Sequence, residues 1–243
     1  LWLLDVETGA AERIWSTPAQ HAALHPHFNR DGARIVFAER APTGRSYRWI
    51  ARHDLGAGGE NHWDGWRIRI AEFDITAPSG RKVAGARTLF PDRGGFFETH
   101  GFLADGRIVF SHTSGGRAYV DAIYVASDAG SGMRKLVDQA GTWNEHGQFS
   151  PSGEALAFIS SRADPSWQAP RSKPSELRTE LFLRRGAQVT QLTDFNQPRA
   201  ARRFLVSDFD WDRAGRRIVF QVAPMDAHGK PESPQLWILT FSA

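Results

Sequence analysis

Apolar and polar positions alternate along most of this chain, and the alternation is interrupted at intervals by a glycine turn. Four stretches repeat the pattern: His27–Phe37, Gly101–Phe110, Gln148–Phe158 and Asp210–Phe220. Each carries an aromatic residue (Phe28, Phe102, Phe149, Trp211) and a short polar turn closed by Gly32, Gly106, Gly153 or Gly215. Each then runs in alternation to a final Phe. Apolar side chains at every second position on both sides of a tight glycine turn predict a β-hairpin with one buried face. No window of useful length shows helical spacing, so no helix is predicted.

A third and a shorter fourth strand follow each hairpin. The third strands are residues 68–75, 122–126, 180–183 and 236–239; the fourth strands are residues 87–90, 134–137 and 189–193. Recurrence at roughly 45 to 75 residues marks stacked copies of one supersecondary unit. Four short antiparallel strands per copy describe a blade of an all-β propeller. One domain over 1–243 is expected, with repeats at 22–90, 97–137, 144–193 and 205–243 and a partial blade at 1–16. That is about four complete blades plus a partial one. Either the two ends complete one mixed blade and close a five-bladed ring, or the chain is a segment of a larger propeller. The chain opens in mid-repeat and shows no signal peptide, so a natural N-terminus lost to processing, cloning or disorder is expected.

The stretch Phe149-Ser150-Pro151-Ser152-Gly153-Glu154-Ala155-Leu156-Ala157-Phe158 through Arg162 resembles the repeat of the TolB-type, WD40-like (PD40) β-propellers, as does the later Gln191-Leu192-Thr193. The likeness extends over essentially the whole chain. It implies the propeller fold and a periplasmic or extracellular bacterial setting. It does not imply one activity, because propellers host many.

Composition narrows the chemistry. There is no Cys, which excludes disulfides, thiolate metal sites and a Cys nucleophile. The net charge of +3 is too small to mark a nucleic-acid partner by itself. The longest apolar runs are strand-sized, so no membrane helix is expected. No phosphate loop or G-x-S-x-G elbow occurs.

The repeat also indicates where a site belongs. The hairpin turns are uniformly short, whereas the second-to-third loops, about residues 41–65, 163–179 and 224–234, are long and irregular. Variable insertions on one face of a repeat array are where binding concentrates. The first strands open onto the same face. They carry His25 and His27, Glu98 and His100, Glu145, His146 and Gln148, and Asp208 and Asp210. Aligned on the aromatic, His25, Thr99, His146 and Asp208 are equivalent, and His27, Gly101, Gln148 and Asp210 form a second set. Residues two apart on a strand point the same way, so a ring of imidazoles and carboxylates is expected at the channel mouth.

Three uses fit such a ring. Its members bond neighbouring blades and water. Or His25, His27, His146, Gln148 and Asp208 hold a divalent metal such as Ca, Mn or Zn. Or His100, His146 and Glu145 perform acid–base catalysis. The segments around His25-Pro26-His27 and Glu145-His146-Gly147-Gln148 are faintly similar to those of the oligogalacturonate lyases. That resemblance implies a metal-binding or proton-abstracting His acting on a uronate sugar.

Arg45, Arg48, Arg52, Arg199, Arg202 and Arg203 fall on the long-loop face, with Arg171, Lys173 and Arg178. Arginine's planar fork suits carboxylates and phosphates. Trp49, Trp63, Trp66 and Trp167 sit in the same loops and are available for stacking on sugars or proteins. The leading expectation is a non-catalytic scaffold holding a protein partner or an anionic glycan or surface. The alternative is a polysaccharide lyase on acidic sugars with a central His/metal site.

Overall fold

The computed structural model describes residues 1–18, 21–40, 65–113, 122–167, 176–197 and 202–242. Every regular element among them is a strand. A two-stranded sheet comes first, β1 (Trp2–Leu4) with β2 (Ala11–Arg13). The first blade is β3 (Ala22–Phe28), β4 (Arg34–Arg40), β5 (Trp66–Phe73) and β6 (Val83–Leu89). The second is β7 (Phe96–Phe102), β8 (Ile108–Thr113), β9 (Ala122–Ala126) and β10 (Arg134–Val137). The third is β11 (Asn144–Phe149), β12 (Leu156–Ser160), β13 (Glu180–Arg185) and β14 (Gln188–Gln191). The fourth has three strands, β15 (Arg203–Trp211), β16 (Arg217–Met225) and β17 (Gln235–Thr240). All neighbours are antiparallel and consecutive in sequence, as expected for propeller blades. No helix of the described residues is long and apolar enough to cross a membrane.

The four hairpin turns are copies of one another. The amide of Gly32, Gly106, Gly153 or Gly215 bonds the carbonyl three residues back, at 3.0, 2.9, 2.8 and 2.9 Å. All four glycines have positive φ, from 67° to 84°. A type I turn followed by a left-handed residue needs glycine at that last place.

Alternation then decides which blade each side chain touches. Ile108 and Phe110 of β8 join a cluster with Val36, Ile68 and Leu89 of the first blade. Val109, between them, joins Leu156, Phe158 and Phe182 of the third. Ala157 and Ile159 of β12 turn the other way, toward Val206, Ile218 and Phe220 of the fourth. The period of two therefore packs each sheet on both neighbours. The Phe that ends each sequence motif is buried at the blade interfaces: Phe37, Phe110 and Phe158 are fully enclosed and Phe220 is 3% exposed. Truncating such a side chain to Ala costs about 3–5 kcal/mol.

The two ends behave differently from a single mixed blade. β1–β2 packs on the first blade through Leu1, Leu3, Ile14 and Trp15, against Phe37 and Phe73. It forms a sheet separate from β15–β17 among the described residues.

Candidate channel site

The inner strands β3, β7, β11 and β15 share a feature that the sequence did not announce. Each carries a one-residue β-bulge at the equivalent place. The Phe of the outer partner strand faces two residues instead of one. Thus His25 and Pro26 lie opposite Phe37, and His146 and Gly147 opposite Phe158. Thr99 and His100 answer Phe110, and Asp208 and Phe209 answer Phe220. A bulge re-aims side chains out of simple alternation. At His25 and His146 the backbone enters the left-handed region, with φ of 51° and 52°. That conformation costs a non-glycine residue about 1–2 kcal/mol, although His tolerates it better than most.

The bulges bring together side chains from all four blades. The rings of His25 and His146 stack with centroids 5.6 Å apart, from the first blade to the third. His100, from the second, lies 5.4 Å from His146. Glu98, 3% exposed, places Oε1 2.8 Å from Nδ1 of His25. Glu145 Oε2 accepts from the Trp143 indole N–H at 2.7 Å. His146 Nε2 is 3.7 Å from Glu145 Oε2 and 3.7 Å from Asp208 Oδ1, whose side chain is 65% exposed. Two donor groups follow that share His146: His25, His146 and Asp208 at the mouth, and Glu98, Glu145 and His146 below. In each group the ligand atoms lie within 4.8 Å of one another.

Burial sets the charge states. It pushes the His25 imidazole down, His146 adds to this, and Glu145 and Asp208 oppose it. His25 is therefore largely neutral at pH 7. A proton on Nδ1, the nitrogen facing Glu98 Oε1, leaves the lone pair on Nε2. Burial pushes the Glu145 carboxyl up, but His146, hydrogen bonds from Glu98 and Trp143, and His25 together hold it below the usual carboxylate range. His100 is pushed far down by burial and then by the neighbouring imidazoles. Its Nε2 bonds Ser111 Oγ at 2.6 Å. This is a satisfied core histidine buttressing His146, which departs from its expected catalytic place.

One layer further in, the polar side chains bond blade to blade. His27 Nε2 meets the Thr99 carbonyl at 3.2 Å, and Thr99 Oγ1 donates to the His25 carbonyl at 2.6 Å. Gln148 donates to the Phe209 carbonyl at 2.8 Å, and the Trp211 indole N–H returns a bond to Gln148 O at 3.3 Å. His27 and Gln148, expected among the metal ligands, are thus engaged as struts. The bulge is the reason: it breaks the alternation that put His25 and His27 on one side.

The loop-face residues divide. Arg45, Arg48, Trp49, Arg52, Trp63 and Arg199 lie outside the described residues. Trp66 begins β5, buried edge-on against Phe96 at 6.2 Å. Trp167 is buried in a cluster with Trp143 and Leu177. Neither indole offers a face for stacking, contrary to expectation. Arg202 pairs with Glu232 at 2.5 Å on the surface, and Arg203 donates to the Asp226 carbonyl at 3.4 Å. The sequence reading gave no specific role to Glu98 and missed Ser111 altogether. Glu98 stood two residues before His100, a signal for a shared strand face, whereas Ser111 had none.

No known family model matches the chain, and no curated protein sequence matches it. Solved structures do. An oligogalacturonate lyase in complex with manganese matches with TM-score 0.53 and 16% identity, over 98% of this chain and 56% of the lyase. Prolyl oligopeptidase B from Galerina marginata matches at TM-score 0.56 and 9% identity, over 97% of this chain and 27% of its own. A nidogen/laminin complex gives TM-score 0.54 and 13% identity, over 95% and 69%. The chain spans little more than half the length of the lyase. At these identities the likeness shows a shared fold, and the PD40 repeat family is not confirmed by a family model.

Proposed function

We propose that the long-loop mouth of the channel binds a divalent cation through His25, His146 and Asp208, and with it the carboxylate of an acidic sugar. The observation that carries this reading is the His25–Glu98 pair. A buried carboxyl group that takes Nδ1–H fixes the imidazole tautomer and presents Nε2, the second-sphere arrangement typical of metal-bound histidine. Two imidazoles with one carboxylate suit Mn or Zn. Asp208 leaves the group open to solvent, as a site that takes substrate requires. A bound divalent cation would draw electrons from a uronate carboxylate and acidify the adjacent C–H, the demand of lyase chemistry. The protein's own residues would orient the sugar acid, and His100 would hold the His146 ring in place. The manganese named with the lyase neighbour is compatible with this donor set.

The binding-scaffold reading is the weaker of the two. Of its loop residues, Trp66 and Trp167 are packed inside, Arg202 is in an ion pair, Arg203 donates to the Asp226 carbonyl, and the others lie outside the described residues. Titration calorimetry with Mn, Zn and Ca, on the wild type and on His146→Ala, is the direct test. Saturable binding near one ion per chain that His146→Ala abolishes supports the site. Binding that survives this substitution, or no binding at all, rejects it. Rising ultraviolet absorbance on uronate oligomers then tests the reaction.

A further inference from the structure

The channel has a second mouth, on the face of the hairpin turns. There a cavity of about 640 Å³ is lined by the ends of three inner strands, β3, β7 and β11, and by turn residues of all four blades. Phe28, Phe102 and Phe149, the repeat's aromatic position in three blades, form an apolar lining with Leu103 and Pro151. The only charged side chains in that lining are Arg30, from the first blade, and Arg213, from the fourth. Both guanidiniums are exposed, and neither has a hydrogen bond or ion pair among the described residues. The volume falls in the range of small-molecule sites. The strut layer of His27, Thr99 and Gln148 separates this cavity from the imidazole cluster.

We propose that this turn-side cavity is a second binding site, for a small aromatic carboxylate. The rings would lie along the planar apolar body of the ligand, and the two arginines would take its carboxylate as charge-assisted hydrogen bonds. Two positive charges beside an apolar lining, with no anionic side chain in it, select an anion over a neutral or cationic molecule of the same shape. The inference does not depend on the cation site, since no residue is common to the two.

Titration calorimetry with naphthoate as the probe, in the presence of chelator, tests it. One naphthoate per chain is expected, with affinity unaltered in His146→Ala. Arg30→Gln and Arg213→Gln should each weaken binding about tenfold, as expected for loss of one charge-assisted contact. The neutral analogue naphthalenemethanol should bind far more weakly. Ala104→Trp, at an exposed position on the rim, should fill the mouth and block binding while thermal unfolding stays as in the wild type. Absence of saturable binding would overturn the proposal. So would unchanged affinity in the Arg30→Gln/Arg213→Gln double variant, or equal affinity for the neutral analogue. Both arginines are exposed, so that double variant tests the site without endangering the fold.

Discussion

His25 and His27 stand two residues apart on one strand, yet they do different things. His25 sits in the bulge, meets a buried carboxyl group and a ring from another blade, and keeps a nitrogen lone pair for the channel. His27 lies past the bulge, where its Nε2 is tied to a backbone carbonyl of the next blade. One imidazole faces side chains of other blades across the channel, and the other ties its blade to the next. The residue type does not separate them. What separates them is the partner: a side-chain carboxyl group for His25 and a backbone carbonyl for His27.

The largest expected consequence of this contrast is a pH dependence of stability. Burial pushes His27 down to about 4, with His25 adding to the effect against the Thr99 hydrogen bond. An unfolded His protonates near 6.5, so between the two values the unfolded chain binds the extra proton. Stability is therefore complete above about pH 6.5 and falls as the pH drops toward 4, by about 3 kcal/mol from His27 alone. His25 and His100, also lowered, act with the same sign. Urea melts across this range should show the decline. His27→Gln should flatten it, and a flat wild-type curve would refute the assignment.

A smaller effect tests the bulge of the third blade. A Cβ on Gly147 would come within 2.7 Å of Ile123 Cγ2 and 2.9 Å of its Cδ1. Gly147→Ala should cost about 1–3 kcal/mol by overpacking and displace His146. Adding Ile123→Ala removes the obstruction, so the double variant should be less destabilised than the two single changes summed. Strict additivity in thermal melts would show that the close approach is not what holds the bulge.

These two features differ in how they could be read beforehand. The hairpins, the turn glycines and the terminal phenylalanines were legible because each is a local pattern. Period two assigns Phe110 to an interface, and a turn requires Gly106. The bulges were not legible, since nothing in Thr99-His100 or Asp208-Phe209 distinguishes two residues facing one Phe from regular pairing. The His25–Glu98 contact lies beyond reach for another reason. It joins residues 73 positions apart through the packing of two blades, which no single-strand rule supplies. Trp66 and Trp167 were misread by the same logic in reverse. A tryptophan in a polar stretch looks exposed until neighbouring Phe96 and Leu177 cover it.

Glu98 provides the next test of what makes His25 different. Glu98→Ala removes the carboxyl group beside Nδ1 of His25, whose side chain is 30% exposed, at about 1 kcal/mol. It should also weaken cation binding about tenfold or more, as loss of an outer-shell partner does at metal-bound histidines. Glu98→Gln keeps an acceptor and should restore most of the stability. If cation affinity is the same in wild type and Glu98→Ala, His25 does not owe its orientation to this pair.

The smallest effect carries a change of sign. His146 holds a left-handed backbone at φ 52°, where any Cβ is strained, whereas Asp208, the equivalent residue of the fourth blade, has no positive φ. Glycine relieves that strain, and alanine retains it. His146→Gly should therefore be more stable than His146→Ala by about 1 kcal/mol, although glycine carries the greater unfolded-state entropy. At Asp208 the order should reverse, with Ala ahead of Gly by about 0.5–1 kcal/mol. Comparing alanine with glycine at each position cancels the loss of the native side chain, so only the backbone remains in the difference. Chemical denaturation of the four variants reads it directly. If Ala leads Gly at both positions, the two bulges share one backbone conformation, and the strain at His146 disappears from the account of the site.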